Sequence, residues 1–102
     1  MVAMAVTYDI EAVKQHLTPT MRGHLRDYAL LLRGVAEPWT AGALESMTRE
    51  FSARSAIDFR EFCKALRVAV TGSMIGVGMF DTLEILEQET TLRRIDKGVN
   101  HP

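Results

Sequence analysis

The sequence predicts an all-α single domain, a bundle or cage of five or six short helices. Three observations lead there. Apolar residues recur at steps of three and four through most of the chain, the period of one helix face. Thr18, Thr40 and Asp58 each stand directly before such a stretch, where a side-chain oxygen can cap a helix N-terminus. The chain has 102 residues, 47% of them hydrophobic. That suffices for one core without disulfide or metal staples and points to one domain rather than two.

The helical domain is expected over residues 8–98, between tails at 1–7 and 99–102. Asp9 to Leu17 reads as a short first helix with Ile10, Val13 and Leu17 inward. Thr18-Pro19 starts the second, with proline at the first helical position. Its buried face is Met21, Leu25, Tyr28, Leu32 and Val35, and Pro38 stops it. Thr40 caps a helix carrying Leu44, Met47 and Phe51. Asp58 caps the next, with Phe59, Phe62, Leu66 and Ala69 along one side. Thr71 to Gly78 holds three glycines and reads as a loop. Met79 to Glu87 is helical, and Leu92 and Ile95 mark a last helix ending at Gly98. Phe62, Leu66, Leu83, Leu86 and Leu92 are expected in the core.

Composition narrows the function. Twelve Lys+Arg stand against 13 Asp+Glu, a formal net charge of −1, which argues against a polybasic arm or an acidic tail. One cysteine, Cys63, allows neither an internal disulfide nor a multi-cysteine zinc site, and its place beside a core position suggests an inert thiol. His16, His24 and His101 share no helical spacing, so no metal site is expected. No targeting or membrane-spanning segment is visible, and a cytoplasmic protein is expected. Asp81, Glu84, Glu87 and Glu89 read as a solvated acidic face rather than paired acid–base groups.

Thr71-Gly72, Gly76 and Gly78 spell the glycine pattern of a dinucleotide loop, and Leu66 to Val70 could pass for the strand before it. The context opposes this. Only 24 residues follow Gly78, with no second strand, and the helical period of Phe59, Phe62, Leu66 and Ala69 runs through the supposed strand. The glycines are better placed in a tight interhelical connection. No catalytic residues and no cofactor are expected.

The stretch Leu66-Arg67-Val68-Ala69-Val70-Thr71-Gly72 carries a family resemblance. So do Gly78-Met79-Phe80-Asp81, Leu86, Glu89 and Leu92-Arg93-Arg94-Ile95. Together they resemble the C-terminal, anticodon-binding region of bacterial glutamyl-tRNA synthetases. That family typically shows leucine-arginine-valine-alanine-leucine-threonine-glycine, a short glycine/proline loop, a helix ending in leucine-glycine-lysine-glutamate, and a double-arginine tail helix. Tyr8-Asp9 with Ala12 to Lys14, and Trp39-Thr40 with Ala43 to Glu45 and Phe51, agree more loosely. The likeness spans roughly Tyr8 to Lys97. It implies an all-α cage and tRNA, most specifically glutamate tRNA, as partner, with a synthetase catalytic body elsewhere. The His-Ile-Gly-His and Lys-Met-Ser-Lys-Ser signatures of the catalytic half do not occur. Neither aminoacylation nor nicotinamide binding is therefore expected of this chain alone. Two departures from the family pattern stand out. Val77 replaces a loop proline, and Glu87-Gln88 replace the glycine-lysine pair, removing one positive charge and adding one negative.

The resemblance implies that Arg67 contacts the anticodon and that Gly76, Val77 and Met79 line the same site. The helical wheel adds an independent observation. At about 100° per residue, Lys64 lies about 40° and Arg67 about 20° from Arg60, opposite Phe62, Leu66 and Ala69. Arg60, Lys64 and Arg67 therefore form one basic stripe facing solvent or a partner, to which Arg93 and Arg94 could add. With about three phosphate contacts, affinity would fall roughly 20- to 40-fold between about 50 and 200 mM salt. A helical protein–protein module that has lost RNA binding is the alternative reading.

Overall fold

Four helices begin where the sequence supplies a side-chain cap. Asp9 accepts from the Glu11 N–H at 3.0 Å and opens α1 (Ile10–His16). Thr18 accepts from Met21 at 3.2 Å and opens α2 (Pro19–Arg33). Thr40 and Asp58 do the same for α3 (Ala41–Arg54) and α4 (Phe59–Thr71). Each cap satisfies an N–H that has no partner within its helix. The last helix, α5 (Met79–Val99), starts at Gly78 without a side-chain cap. The computed structural model describes residues 6–35, 38–76 and 78–102, among which there is no strand. In particular, Leu66 to Val70 is helical, so the dinucleotide-loop reading has no strand to follow.

The core lies where α2, α3, α4 and α5 meet. Leu25, Tyr28, Leu32, Leu44, Phe62, Leu66, Leu83 and Ile95 are fully buried. Tyr28, Phe51 and Phe62 form an aromatic triangle with ring centroids 5.0–5.3 Å apart. The Tyr28 hydroxyl lies 2.7 Å from Thr48 Oγ1, and Thr48 donates to the Leu44 carbonyl at 2.7 Å. This chain lets the phenol stay buried. Burial raises its pKa well above the ordinary tyrosine value.

Three expectations need correction. Ile10 is 65% exposed. It sits at the first position of α1, whose contact with the core is made by Ala12, Val13 and Leu17. The place beside α4 is taken by Tyr8, which donates to the Ala69 carbonyl at 2.9 Å. Leu86 and Leu92 are half-buried against the core rather than within it. Gly98 does not stop the last helix, which runs to Val99 and is capped at Asn100. Gly98 is instead a packing position: a Cβ built there would meet the Ala69 Cβ at 2.6 Å.

The last two expected helices form α5, with a kink at Glu87 (φ 68°, ψ 169°). Side chains surround this break. Trp39 Nε1 donates to the Leu83 carbonyl at 2.8 Å, and the Thr91 hydroxyl approaches the same oxygen at 3.5 Å. Gln88 Nε2 donates to the carbonyls of Leu32 (2.8 Å) and Val35 (3.2 Å), closing the end of α2. Glu87 and Gln88, the departures from the family pattern, thus sit at a structural joint. The Glu87 conformation is one that glycine adopts freely and other residues at about 1–3 kcal/mol. Glycine regains only part of this, because it loses more freedom on folding. Glu87→Gly is expected to stabilise the protein by about 1 kcal/mol, raising Tm by roughly 5 °C; a lower Tm would refute the strain.

The two halves of α5 meet the two ends of α4: Phe80 stacks on Phe59 in the first turn of α4, with centroids 6.3 Å apart, and Gly98 meets Ala69 near its last turn. The 72–78 connection must therefore return along α4. It leaves at Gly72, left-handed at φ 88°, whose N–H bonds the Val68 carbonyl and whose carbonyl accepts from Asp9 at 2.7 Å.

Candidate functional site

The outer face of α4 carries the basic stripe. Phe62, Ala65, Leu66, Val68, Ala69 and Val70 are all buried, which leaves Arg60, Cys63, Lys64, Arg67 and Thr71 on the opposite side. Arg60 is exposed, while Lys64 and Arg67 are half-exposed. Lys64 bonds Glu61 at 3.1 Å, a pair that sequence inspection of the stripe missed. Both side chains are about half-exposed, so the pair is worth little in stability and can open toward another anion.

Arg67 is placed differently from its neighbours. The returning loop lies against its guanidinium: a Cβ at Gly76 would sit 2.9 Å from Arg67 Nη1. Glycine is what lets the chain pass. Nη1 is buried and has no hydrogen-bond partner among the described residues. Among the described residues Nη1 anchors nothing, which costs free energy for a buried N–H, while the rest of this half-exposed side chain stays open to a ligand. Met79 opens α5 and is buried, so it anchors the end of the loop rather than lining its surface. Val77 lies outside the described residues. Met74 and Ile75, at the outside of the loop, are exposed, Ile75 by 85%.

The tail arginines do not join the stripe. Arg94 donates to the Val70 carbonyl at 3.2 Å, closing the end of α4. Arg93 lines a shallow groove with Arg33, Leu92 and Asp96. The acidic face is also partly structural, since Glu84 accepts from the Ala41 N–H at 2.7 Å and helps cap α3.

Cys63 sits on the margin of the stripe. Burial pushes its thiol up to about 11, opposed by the nearby Arg49 and, more weakly, Arg67, while Glu45 adds to the rise. The thiol is thus protonated near neutrality and a poor nucleophile.

The sequence matches the family model described as an anticodon binding domain over residues 1–99, almost its whole length. The chain belongs to the anticodon binding domain family. Relatives of this chain include the glutamate–tRNA ligase 2 of Rhodospirillum centenum. It is 36% identical over 80 residues, which cover 78% of this chain and 17% of the ligase. The glutamate–tRNA ligases of Geobacter sulfurreducens and Chlorobium phaeovibrioides are 32% and 31% identical, over 92% and 91% of this chain. In each case the match covers a fifth of the ligase or less. Among the described residues, no helix of the anticodon-binding domain is long and apolar enough to cross a membrane.

Proposed function

We propose that this chain recognises tRNA, with glutamate tRNA the first candidate, through the outer face of α4 and the loop lying on it. It resembles the C-terminal region of a glutamyl-tRNA synthetase and would contribute to tRNA charging in the cytoplasm together with a catalytic body. On its own it forms no aminoacyl adenylate: the ligases it resembles devote some four-fifths of their length to other segments. The observation that carries this reading is the Arg67 guanidinium, held at the loop with one buried nitrogen unpartnered. In its proposed role Arg67 donates to a base edge or a phosphate. Arg60 and Lys64 contact phosphates along the stripe, Gly76 forms the loop wall, with Val77 a further contact by family resemblance alone, and Met79 holds the loop's far end. Phosphate contacts of this kind orient the partner, and base contacts select it.

Titration with a glutamate tRNA transcript at two salt concentrations tests the reading. Arg67→Ala is expected to weaken binding by about tenfold, roughly 1.4 kcal/mol, the loss of one charge-assisted hydrogen bond. Its Tm should stay close to the parent's or rise slightly, because the replaced nitrogen has no partner among the described residues. Equal binding by folded Arg67→Ala and parent would remove the residue from the interface. A parent protein that binds no tRNA at low salt would favour a helical interaction module, a reading supported by the internal neutralisation of Lys64 by Glu61.

A further inference from the structure

We infer that the RNA face extends from α4 onto α3, with Arg49 as a preorganised phosphate-contacting residue that the stripe on α4 does not include. This rests on the RNA-binding reading above and deepens it. The Arg49 guanidinium carbon lies 4.2 Å from the centroid of the Phe59 ring, and Phe59 in turn stacks on Phe80 with the rings 15° from parallel. Phe59 is the first residue of α4, and Cys63, one turn on, borders the stripe. Arg49 thus projects from α3 over the beginning of the same helix whose far end carries Arg67. Cys63 stands one turn after Phe59, which Arg49 covers, and one turn before Arg67, which places it between the two arginines along α4.

Arg49 is constrained in a way a free surface arginine is not. Its Nε and Nη2 both donate to the same Glu45 oxygen, at 3.2 and 3.0 Å. One carboxylate oxygen and one ring fix the guanidinium plane, while Nη1 has no partner among the described residues and the side chain is 60% exposed. A guanidinium already ordered loses less freedom when it takes up a phosphate. Glu45 orients the group without burying it, so an approaching phosphate meets a fixed fork of donors. Arg49 would join Arg60, Lys64 and Arg67 as a fourth cation, and two of the four, Arg49 and Lys64, are bonded to carboxylates, Glu45 and Glu61.

The test is a titration with a glutamate tRNA transcript between about 50 and 200 mM salt, for the parent, Arg49→Gln, Arg49→Lys and Arg67→Ala, with helix content checked by circular dichroism. Arg49→Gln is expected to lower affinity about fivefold at low salt. It should also flatten the slope of log affinity against log salt by about 0.7–0.9, the release of one counterion. Arg49→Lys should restore the slope but not the full affinity, because an ammonium keeps the charge without the planar fork. Bound tRNA should also slow alkylation of Cys63 several-fold, since the thiol lies between the two arginines. If Arg67→Ala weakens binding while Arg49→Gln keeps the parent's affinity and slope, Arg49 is no contact and the inference fails, with tRNA recognition intact. Unchanged Cys63 alkylation in saturated complex would likewise overturn it. Absence of binding by the parent would remove both readings together.

Discussion

Gly72→Ala is expected to destabilise the protein by about 3–4 kcal/mol and lower its Tm by roughly 15 °C or more. The left-handed backbone at φ 88° alone costs an L-residue about 1–2 kcal/mol. The larger part comes from the N-terminal segment. A Cβ at this position would lie 2.1 Å from the Thr7 carbonyl oxygen and 2.9 Å from its carbon. Both are backbone atoms and cannot rotate away. The segment would have to lift, stretching the bond from the Asp9 N–H to the Gly72 carbonyl and pulling Tyr8 from the Ala69 carbonyl. Thermal and urea denaturation measure the effect; a loss under 1 kcal/mol would mean the segment moves freely.

Gly98→Val should cost about 3 kcal/mol, for a reason that involves packing alone. Gly98 lies inside the last turn of α5 with ordinary helical geometry. The spot its Cβ would occupy is 2.6 Å from the Ala69 Cβ and 2.7 Å from its Cα, so α4 and α5 touch backbone to backbone. Valine adds three carbons where none fits, forcing the helices apart beside Val70 and Ile95, both fully buried. Overpacking of this kind typically costs about 1–3 kcal/mol, and more where backbone must shift. Pairing the change with Ala69→Gly should recover about 1 kcal/mol or more, because the two positions share one space. Additive effects in chemical denaturation would show that the strain is relieved elsewhere.

Local signals were legible in the sequence where one residue type meets one local requirement. Thr18, Thr40 and Asp58 lie before helices, and each caps one, whereas Asp9, expected inside the first helix, is its cap. The stripe opposite Phe62, Leu66 and Ala69 could be laid out from α-helical spacing alone. What spacing cannot give is a residue's neighbour across the fold. Arg67 and Gly76 lie nine positions apart, yet meet because the loop doubles back over α4. Arg94 looked like a free cation, but the Val70 carbonyl holds it. Arg49 carried no signal, since its partner Phe59 belongs to another helix and an i,i+4 pair with Glu45 reads as ordinary surface. Glu87 was legible only as a departure from a family pattern; its positive φ is set by the tertiary joint around it.

That joint also has an optical consequence. Trp39 is the single tryptophan of the chain, and its indole N–H is bonded to the Leu83 carbonyl one turn before the kink. Its fluorescence therefore reports on one place, the angle between the two halves of α5 and the seat of the segment leading into α3. Straightening the helix would withdraw that carbonyl and leave the half-buried indole in a different polar environment. Emission wavelength and quenching would register the movement without any added label, in the same cuvette in which tRNA is titrated.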